Sequence, residues 1–462
     1  MLSRVCVLVA AAGAILLAQA ERRAVSLIVS GGTVVVMDRA GRVLSPGAVA
    51  IDGRDIVGVD TPGAIGARFS ARDTVDATGQ VVLPGFVNTH THAPMVLYRG
   101  LADDLALKDW LEQYIFPAEA KTVTAEFVRA GTRLAALGMI RSGTTTYTDM
   151  YYFEEEIARV TKEAGLRGVL GETIIQFPSP DAKTPAEAVA RAEAFIKEFE
   201  ADDLIVPALA PHSMYTLDAA TLKAIRALAD RRRAPVIIHL AETKDEIATS
   251  RTRHKATPAQ YLESIGFWGP RTLAAHGVWL SPADMTLLAR RHVGVAHNPE
   301  SNMKLASGAA DVVAMRRAGI AVGLGTDGAA SNNDLDMFEA MRQAAFLAKL
   351  QTMDPRAVSA RTALELATIE GARALGMDAA IGSLEPGKRA DLIAVSMAAA
   401  RQTPMYDALS HLVYVTRGDD VTTTIVNGRV LMRDRKVLTL NEADVLREAR
   451  AMADRVRAAV AK

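Results

Sequence analysis

Between residues 84 and 376 the chain repeats one pattern: a short apolar run of strand character, then an Ala-, Glu- and Lys-rich helical stretch. The runs are "PGFVNTHTH", "TTTYTDMYY", "GLRGVLGETII", "DLIVPALAPH", "APVIIHLAE", "RTLAAHGVW", "HVGVAHNP" and "IAVGLGTDG". Parallel strands need crossover connections, and helices supply them, so this alternation predicts the α/β class. Eight strand–helix units in succession predict a (β/α)8 barrel rather than an open sheet. Residues 26–82 have a different texture, with short β-type runs broken by Gly, Pro and Asp. That texture returns in "GSLEPGKRADLIAVS" and "VTTTIVNGRVLMRDRKVL". The chain is therefore expected to build one composite β-sandwich from both ends, over residues 21–83 and 385–440, around a barrel over 84–384. An amphipathic helix should close it over 441–462.

Catalytic groups in a barrel of this kind gather where the strands end. His90 and His92 end the first run, and positions i and i+2 of a strand share a face. His212, His239, His276 and Asp327 end or follow four others. Taken singly, each histidine is more simply a satisfied core residue, and Asp327 a helix cap. Together they are hard to explain as separate accidents. Glu242, three residues beyond His239, could be an ordinary first-turn helix residue. Equally, a carboxyl group beside a metal-activated water can move its protons.

The remaining composition narrows the partners. Lys and Arg together number 53, as do Asp and Glu, with no long run of one sign, so neither nucleic acid nor an anionic membrane surface is indicated. The partner expected is a small-molecule substrate, and self-association is left open. The first twenty residues have a short positive start, an apolar stretch from Val5 to Ala18 and an Ala18-Gln19-Ala20 site. That is the layout of a cleavable signal peptide, and the stretch is shorter than the roughly 20 residues a membrane span needs. The expected location is therefore periplasmic or secreted, with no stable membrane insertion. The single cysteine, Cys6, lies inside that segment. A mature chain without thiolate must hold any metal through nitrogen and oxygen, a set that suits zinc or iron.

"PGFVNTHTH", "HLAET", "HGVW", "HNPESNMKL" and "GTDGAASNND" together resemble the amidohydrolase superfamily. More closely they resemble its branch of methylthioadenosine and S-adenosylhomocysteine deaminases and triazine chlorohydrolases. The resemblance implies His90, His92, His239 and Asp327 as ligands of one divalent metal per subunit, zinc before iron. It implies Glu242 as the proton shuttle, Asp327 as a catalytic group as well as a ligand, and His276 as the group that orients the activated water. Trp110 and Glu119 would bind substrate, although without the resemblance they read as a core and a surface-helix residue. His212 and Glu242 would complete the substrate contacts. No lysine ends a mid-barrel strand, so the carbamylated-lysine bridge of binuclear relatives is not expected.

The implied activity is hydrolytic deamination of an aminated purine, most directly an adenosine-type nucleoside, with release of ammonia. One departure bears on the substrate. Where nucleoside deaminases of this branch carry an arginine, this chain has Glu172, which is expected to face the substrate and repel a carboxylate such as that of S-adenosylhomocysteine. The alternatives on the same scaffold are a triazine hydrolase, a guanine or cytosine deaminase and a cyclic amide hydrolase. Outside catalysis, the alternative is an inactive secreted metal-binding protein.

Overall fold

The computed structural model describes residues 22–461; the expected signal peptide and Cys6 lie outside the described residues. Eight parallel strands form the barrel: β1 (Phe86–Thr91), β2 (Thr144–Tyr151), β3 (Arg167–Ile174), β4 (Ile205–Pro211), β5 (Val236–Leu240), β6 (Thr272–His276), β7 (Gly294–His297) and β8 (Val322–Leu324). Neighbours in sequence are neighbours in the sheet throughout. Val87, Met150, Val169, Ala208, Ile237, Leu273 and Ala296 form one apolar cluster. A cluster that draws on seven successive strands can only be the barrel interior, so the lower barrel is a packed core.

The seam between β8 and β1 is closed by side chains and loop backbone. Asn88 Nδ2 donates to Thr326 Oγ1 at 2.8 Å, and the Thr326 amide returns a bond to Asn88 Oδ1 at 3.1 Å. One residue further on, the Asp327 amide donates to the His90 carbonyl at 2.9 Å. This seam holds the first and last strand ends in fixed register at the barrel mouth.

Local sequence sets the strand-to-helix turns. Thr184, Asp218, Thr243 and Ser281 cap the helices Pro185–Phe199, Ala219–Arg232, Lys244–His254 and Pro282–Arg290, each accepting from a first-turn amide. The long helix Ala125–Ser142 stops at Gly143, whose φ of 89° is a left-handed value that glycine adopts cheaply.

Beside the barrel lie a four-stranded and a seven-stranded sheet. In the larger, Gln80–Pro84, which precedes the barrel, pairs antiparallel with Leu392–Ser396, which follows it. Leu27, Val49, Ile51, Val82, Leu392 and Ile425 are buried together between the sheets, so residues from both chain ends share one core. The helix Glu442–Val460 buries Val445, Ala449, Met452 and Val456 at helical spacing. It is tied to Ala125–Ser142 by Arg141–Glu442, Arg133–Glu448 and Arg455–Glu126. Among the described residues, no helix is long and apolar enough to cross a membrane.

Barrel and sandwich are joined by a buried ion pair. Arg167, at the start of β3, meets Asp391 through two nitrogens at 2.9 and 3.2 Å, and Asp391 also accepts from the Asn427 amide at 2.6 Å. Both side chains are almost wholly enclosed. Asp391→Ala strands the guanidinium without its partner and should lower the unfolding free energy by about 3–5 kcal/mol. The denaturant midpoint reads this loss; an unmoved midpoint would show the pair to be dispensable.

Candidate metal centre and substrate pocket

The six strand-end side chains meet at the barrel mouth. The Nε2 atoms of His90 and His92 lie 3.4 and 3.2 Å from the same oxygen of Asp327. His90, His92 and His239 offer nitrogens that all fall within 4.8 Å of one another, as do the donor atoms of His90, His276 and Asp327. His276 Nε2 stands 3.8 Å from Glu242 Oε2. The His212 ring packs on that of His239, with centroids 4.7 Å apart.

The imidazoles are aimed by hydrogen bonds on their far side. His92 Nδ1 meets the Met150 carbonyl at 2.6 Å, and His239 Nδ1 the His212 carbonyl at 2.8 Å. A carbonyl can only accept, so each Nδ1 carries a proton and Nε2 is the atom turned to the site. His276 Nδ1 pairs with Asn302 Oδ1 at 2.9 Å, which likewise turns Nε2 to the site. Asp327 is held by Ser301 and Ser331, whose hydroxyls donate to Oδ2 at 2.6 and 3.1 Å.

Does this set fit a metal ion? His90 is fully buried, and neither ring nitrogen has a hydrogen-bond partner. An enclosed imidazole without a partner is costly, and a cation at Nε2 would satisfy it. Burial and Asp327 together set the charges here. Burial disfavours charge on His92, yet the hydrogen bond and charge of Asp327 outweigh it and carry its pKa up to about 9. His90, more strongly desolvated, falls to about 4. Burial alone would raise Asp327, but the imidazoles of His90 and His92 beside it hold it well below the usual carboxylate range. An ionised carboxylate facing three imidazole rings, without sulfur, is a donor set for a borderline divalent cation such as zinc.

Glu242 and Glu119 are held differently. Burial raises Glu242, with Asp327 adding to the shift and His276 opposing it. Burial likewise pushes Glu119 up to about 7, against Tyr151 and His92.

A pocket opens onto this cluster, bordered by His92, His212, His239, Glu242, His276 and Asp327. Its outer wall is apolar, from Leu107, Leu111, Ile115, Phe116 and Leu305. Trp110 and Glu119 border it too, so neither is the plain core or surface residue that its local sequence suggests. They flank a π-helical turn, Leu111–Ile115, a distortion often found at functional sites. Trp110 Nε1 and the Tyr151 hydroxyl are buried at the pocket without partners. No lysine or arginine lines it.

Glu172 corrects the sequence reading. On β3 its neighbour Thr173 faces the pocket, and alternation turns Glu172 to the opposite side. There it accepts from Arg191 Nε at 3.0 Å and from the Glu154 amide at 3.1 Å. It does not border the pocket. Asn302, Ser301 and Ser331 lie inside motifs quoted above but carry no ionisable group to draw attention. Asp149, which accepts from Thr91 Oγ1 and the Ala93 amide at 2.7 and 2.6 Å, braces the loop that leaves His92 and was also not anticipated.

Glu119 supplies a test of this electrostatic picture. A carboxyl group whose pKa rises from 4.5 to about 7 on folding keeps a proton that the unfolded chain has lost, so it costs stability as pH climbs through that window. Glu119→Gln removes the cost. The variant should match wild type near pH 4 and exceed it by about 3 kcal/mol at pH 8. Thermal unfolding at both pH values checks this, and a constant difference would contradict it.

Known proteins share both the fold and the sequence. The amidohydrolase family profile matches residues 81–431. A 5-methylthioadenosine/S-adenosylhomocysteine deaminase of Syntrophobacter fumaroxidans is 46% identical over 427 residues, covering 92% of this chain and 97% of its own. A 5′-deoxyadenosine deaminase of Methanosarcina barkeri is 45% identical over 430 residues, covering 93% and 98%. The crystal structure of an adenosine deaminase from Xanthomonas campestris with bound zinc superimposes with a TM-score of 0.93 at 40% identity, covering 95% of this chain and all of that one.

Proposed function

The chain belongs to the amidohydrolase family and is a hydrolytic deaminase, and we propose that its substrate is an adenosine-type nucleoside with a small uncharged 5′ end. One observation carries this reading. The pocket joins a histidine–aspartate centre to buried, unpartnered donors at Trp110 and Tyr151 beside Glu119, under an apolar wall without a basic residue. A carboxylate such as Glu119, with such donors around it, suits sugar hydroxyls. The wall suits a 5′-methyl or methylthio group, while a buried ammonium–carboxylate tail would find no cationic partner there. The three relatives, named for deaminases of methylthioadenosine and S-adenosylhomocysteine, of 5′-deoxyadenosine and of adenosine, support the purine assignment.

In this reading His90, His92, His239 and Asp327 hold one divalent ion, zinc by donor chemistry. Such an ion, when bound, brings water towards a pKa of about 7 and so makes a nucleophile available at neutral pH. Asp327, buried yet ionised, accepts a proton from the attacking water. Glu242, whose hold on a proton burial strengthens, donates to the ring nitrogen beside the amino-bearing carbon as water oxygen adds to that carbon. His276, oriented by Asn302, lies close enough to Glu242 to steady the charge that develops. Of the two water protons, one leaves with the amino group as ammonia and the other replaces the proton Glu242 gave to the ring. The leader sequence adds export to the proposal, and N-terminal sequencing of the mature protein checks it.

Ammonia release by the zinc-loaded protein should be clear with 5′-deoxyadenosine, methylthioadenosine and adenosine. S-adenosylhomocysteine should show kcat/KM at least about tenfold lower, from the uncompensated charge of its tail. Turnover confined to guanine, cytosine or a triazine would overturn the substrate assignment. Glu242→Gln should lower kcat by about 10²–10⁴ with its metal retained. Full activity in that variant would remove Glu242 from the mechanism.

A further inference from the structure

We infer that Glu246 is a positioning residue for this reaction, a carboxylate clamp that fixes where Glu242 stands. The inference rests on the assignment of Glu242 as the proton shuttle. Glu242 rides on a three-residue turn between the end of β5 and the helix Lys244–His254. That turn is not relaxed backbone, because Ala241 has φ of 52°, a left-handed value that a residue with a Cβ rarely adopts. A non-glycine residue persists there only where its surroundings hold it.

Those surroundings are identifiable. Glu246 Oε1 accepts the Ala241 amide at 2.9 Å, and Oε2 accepts the Glu242 amide at 2.8 Å. Both bonds are buried, and Glu246 is 5% exposed. From the other side the Gly277 amide donates to the Leu240 carbonyl at 3.0 Å, and the Trp279 amide to the Ala241 carbonyl at 2.9 Å. The turn is thus gripped on its amide edge by one carboxylate and on its carbonyl edge by the loop after β6.

The sequence pattern makes the placement more specific. Thr243-Lys244-Asp245-Glu246 has the spacing of a capping box, in which the third helical residue bonds back to the amide of the cap. Half of the box is present, since the Glu246 amide donates to Thr243 Oγ1 at 3.2 Å. The return bond bypasses Thr243 and reaches the two residues before it. A carboxylate that served only the helix would stop at the cap. This one crosses to the residue that carries the acid.

The clamp can be tested apart from the reading it rests on, using zinc-loaded full-length protein and 5′-deoxyadenosine. Glu246→Gln keeps the shape but offers one accepting oxygen and sets an NH₂ against the other amide, so kcat should fall about tenfold. Glu246→Ala releases both amides and should cost about a hundredfold, the scale of a misplacement near 1 Å. KM and zinc content should stay within about threefold and at the wild-type level, respectively. Hydrogen exchange at the Ala241 and Glu242 amides should quicken in both variants. If Glu246→Ala does not fold, Glu246→Gln decides alone. Wild-type kcat and exchange in Glu246→Gln, or a parallel fall in kcat, zinc content and melting temperature, overturns the inference. Glu242→Gln, run alongside, separates the two claims: its inactivity beside an unaffected Glu246→Gln would sink the clamp and leave the shuttle standing.

Discussion

The structure turns on Asp327, which closes the barrel and charges its mouth. Its amide donates to the carbonyl of His90, across the gap between the last strand and the first. Its carboxylate faces the imidazoles of His90 and His92 within 3.4 Å. Closing the sheet and assembling the centre are therefore one event, since the ring cannot be completed without bringing the carboxylate against the histidines. An isolated ionised carboxylate at that depth would be prohibitive. Ser301, Ser331 and the two imidazoles make it tolerable, so it stays ionised and able to hold a cation in the barrel mouth.

Around that charge burial moves most of the other groups towards their neutral forms, His92 beside Asp327 being the exception. His212 is pushed down to about 3 and His239 well below its ordinary value, first by burial and then by neighbouring imidazoles. Glu242, Glu119 and Glu246 move up, also through burial. Bases that stay unprotonated can donate lone pairs to a metal, and an acid whose proton affinity is raised can deliver a proton at higher pH than a free carboxyl group. Both conditions come from one cause, enclosure at the strand ends, applied to groups whose charged forms have opposite sign.

How much of this could be read from the sequence depends on the kind of signal each part leaves. The barrel was legible because strand and helix periods differ over eight repeats, and His90, His92, His239, His276 and Asp327 because each interrupts an apolar run where such a run should end. Their gathering at one point is geometric, and the structure supplies it. Trp110 and Glu119 were visible only through resemblance, since locally they look like core and surface. Glu172 was misplaced by a single step along β3. A strand reverses face with every residue, so that error sends a side chain from the pocket to the helix layer, where Arg191 receives it. Asn302, Ser301 and Ser331 act through hydrogen bonds that no composition or period announces.

Backbone conformation lies furthest from sequence. Ala241, His276 and Asp327 all have positive φ, at 52°, 76° and 61°. None is glycine, and each such residue costs on the order of 1 kcal/mol or more. Glycine would relieve the strain, but it cannot supply an imidazole or a carboxylate, and beside Glu242 it would free the chain to wander. The strain is sustained by bonds that converge from outside each turn: Glu246 on one, Asn302 on the next, the barrel seam and two serines on the third. A barrel rigid enough to impose these conformations is what allows strand ends, rather than flexible loops, to aim the reacting groups.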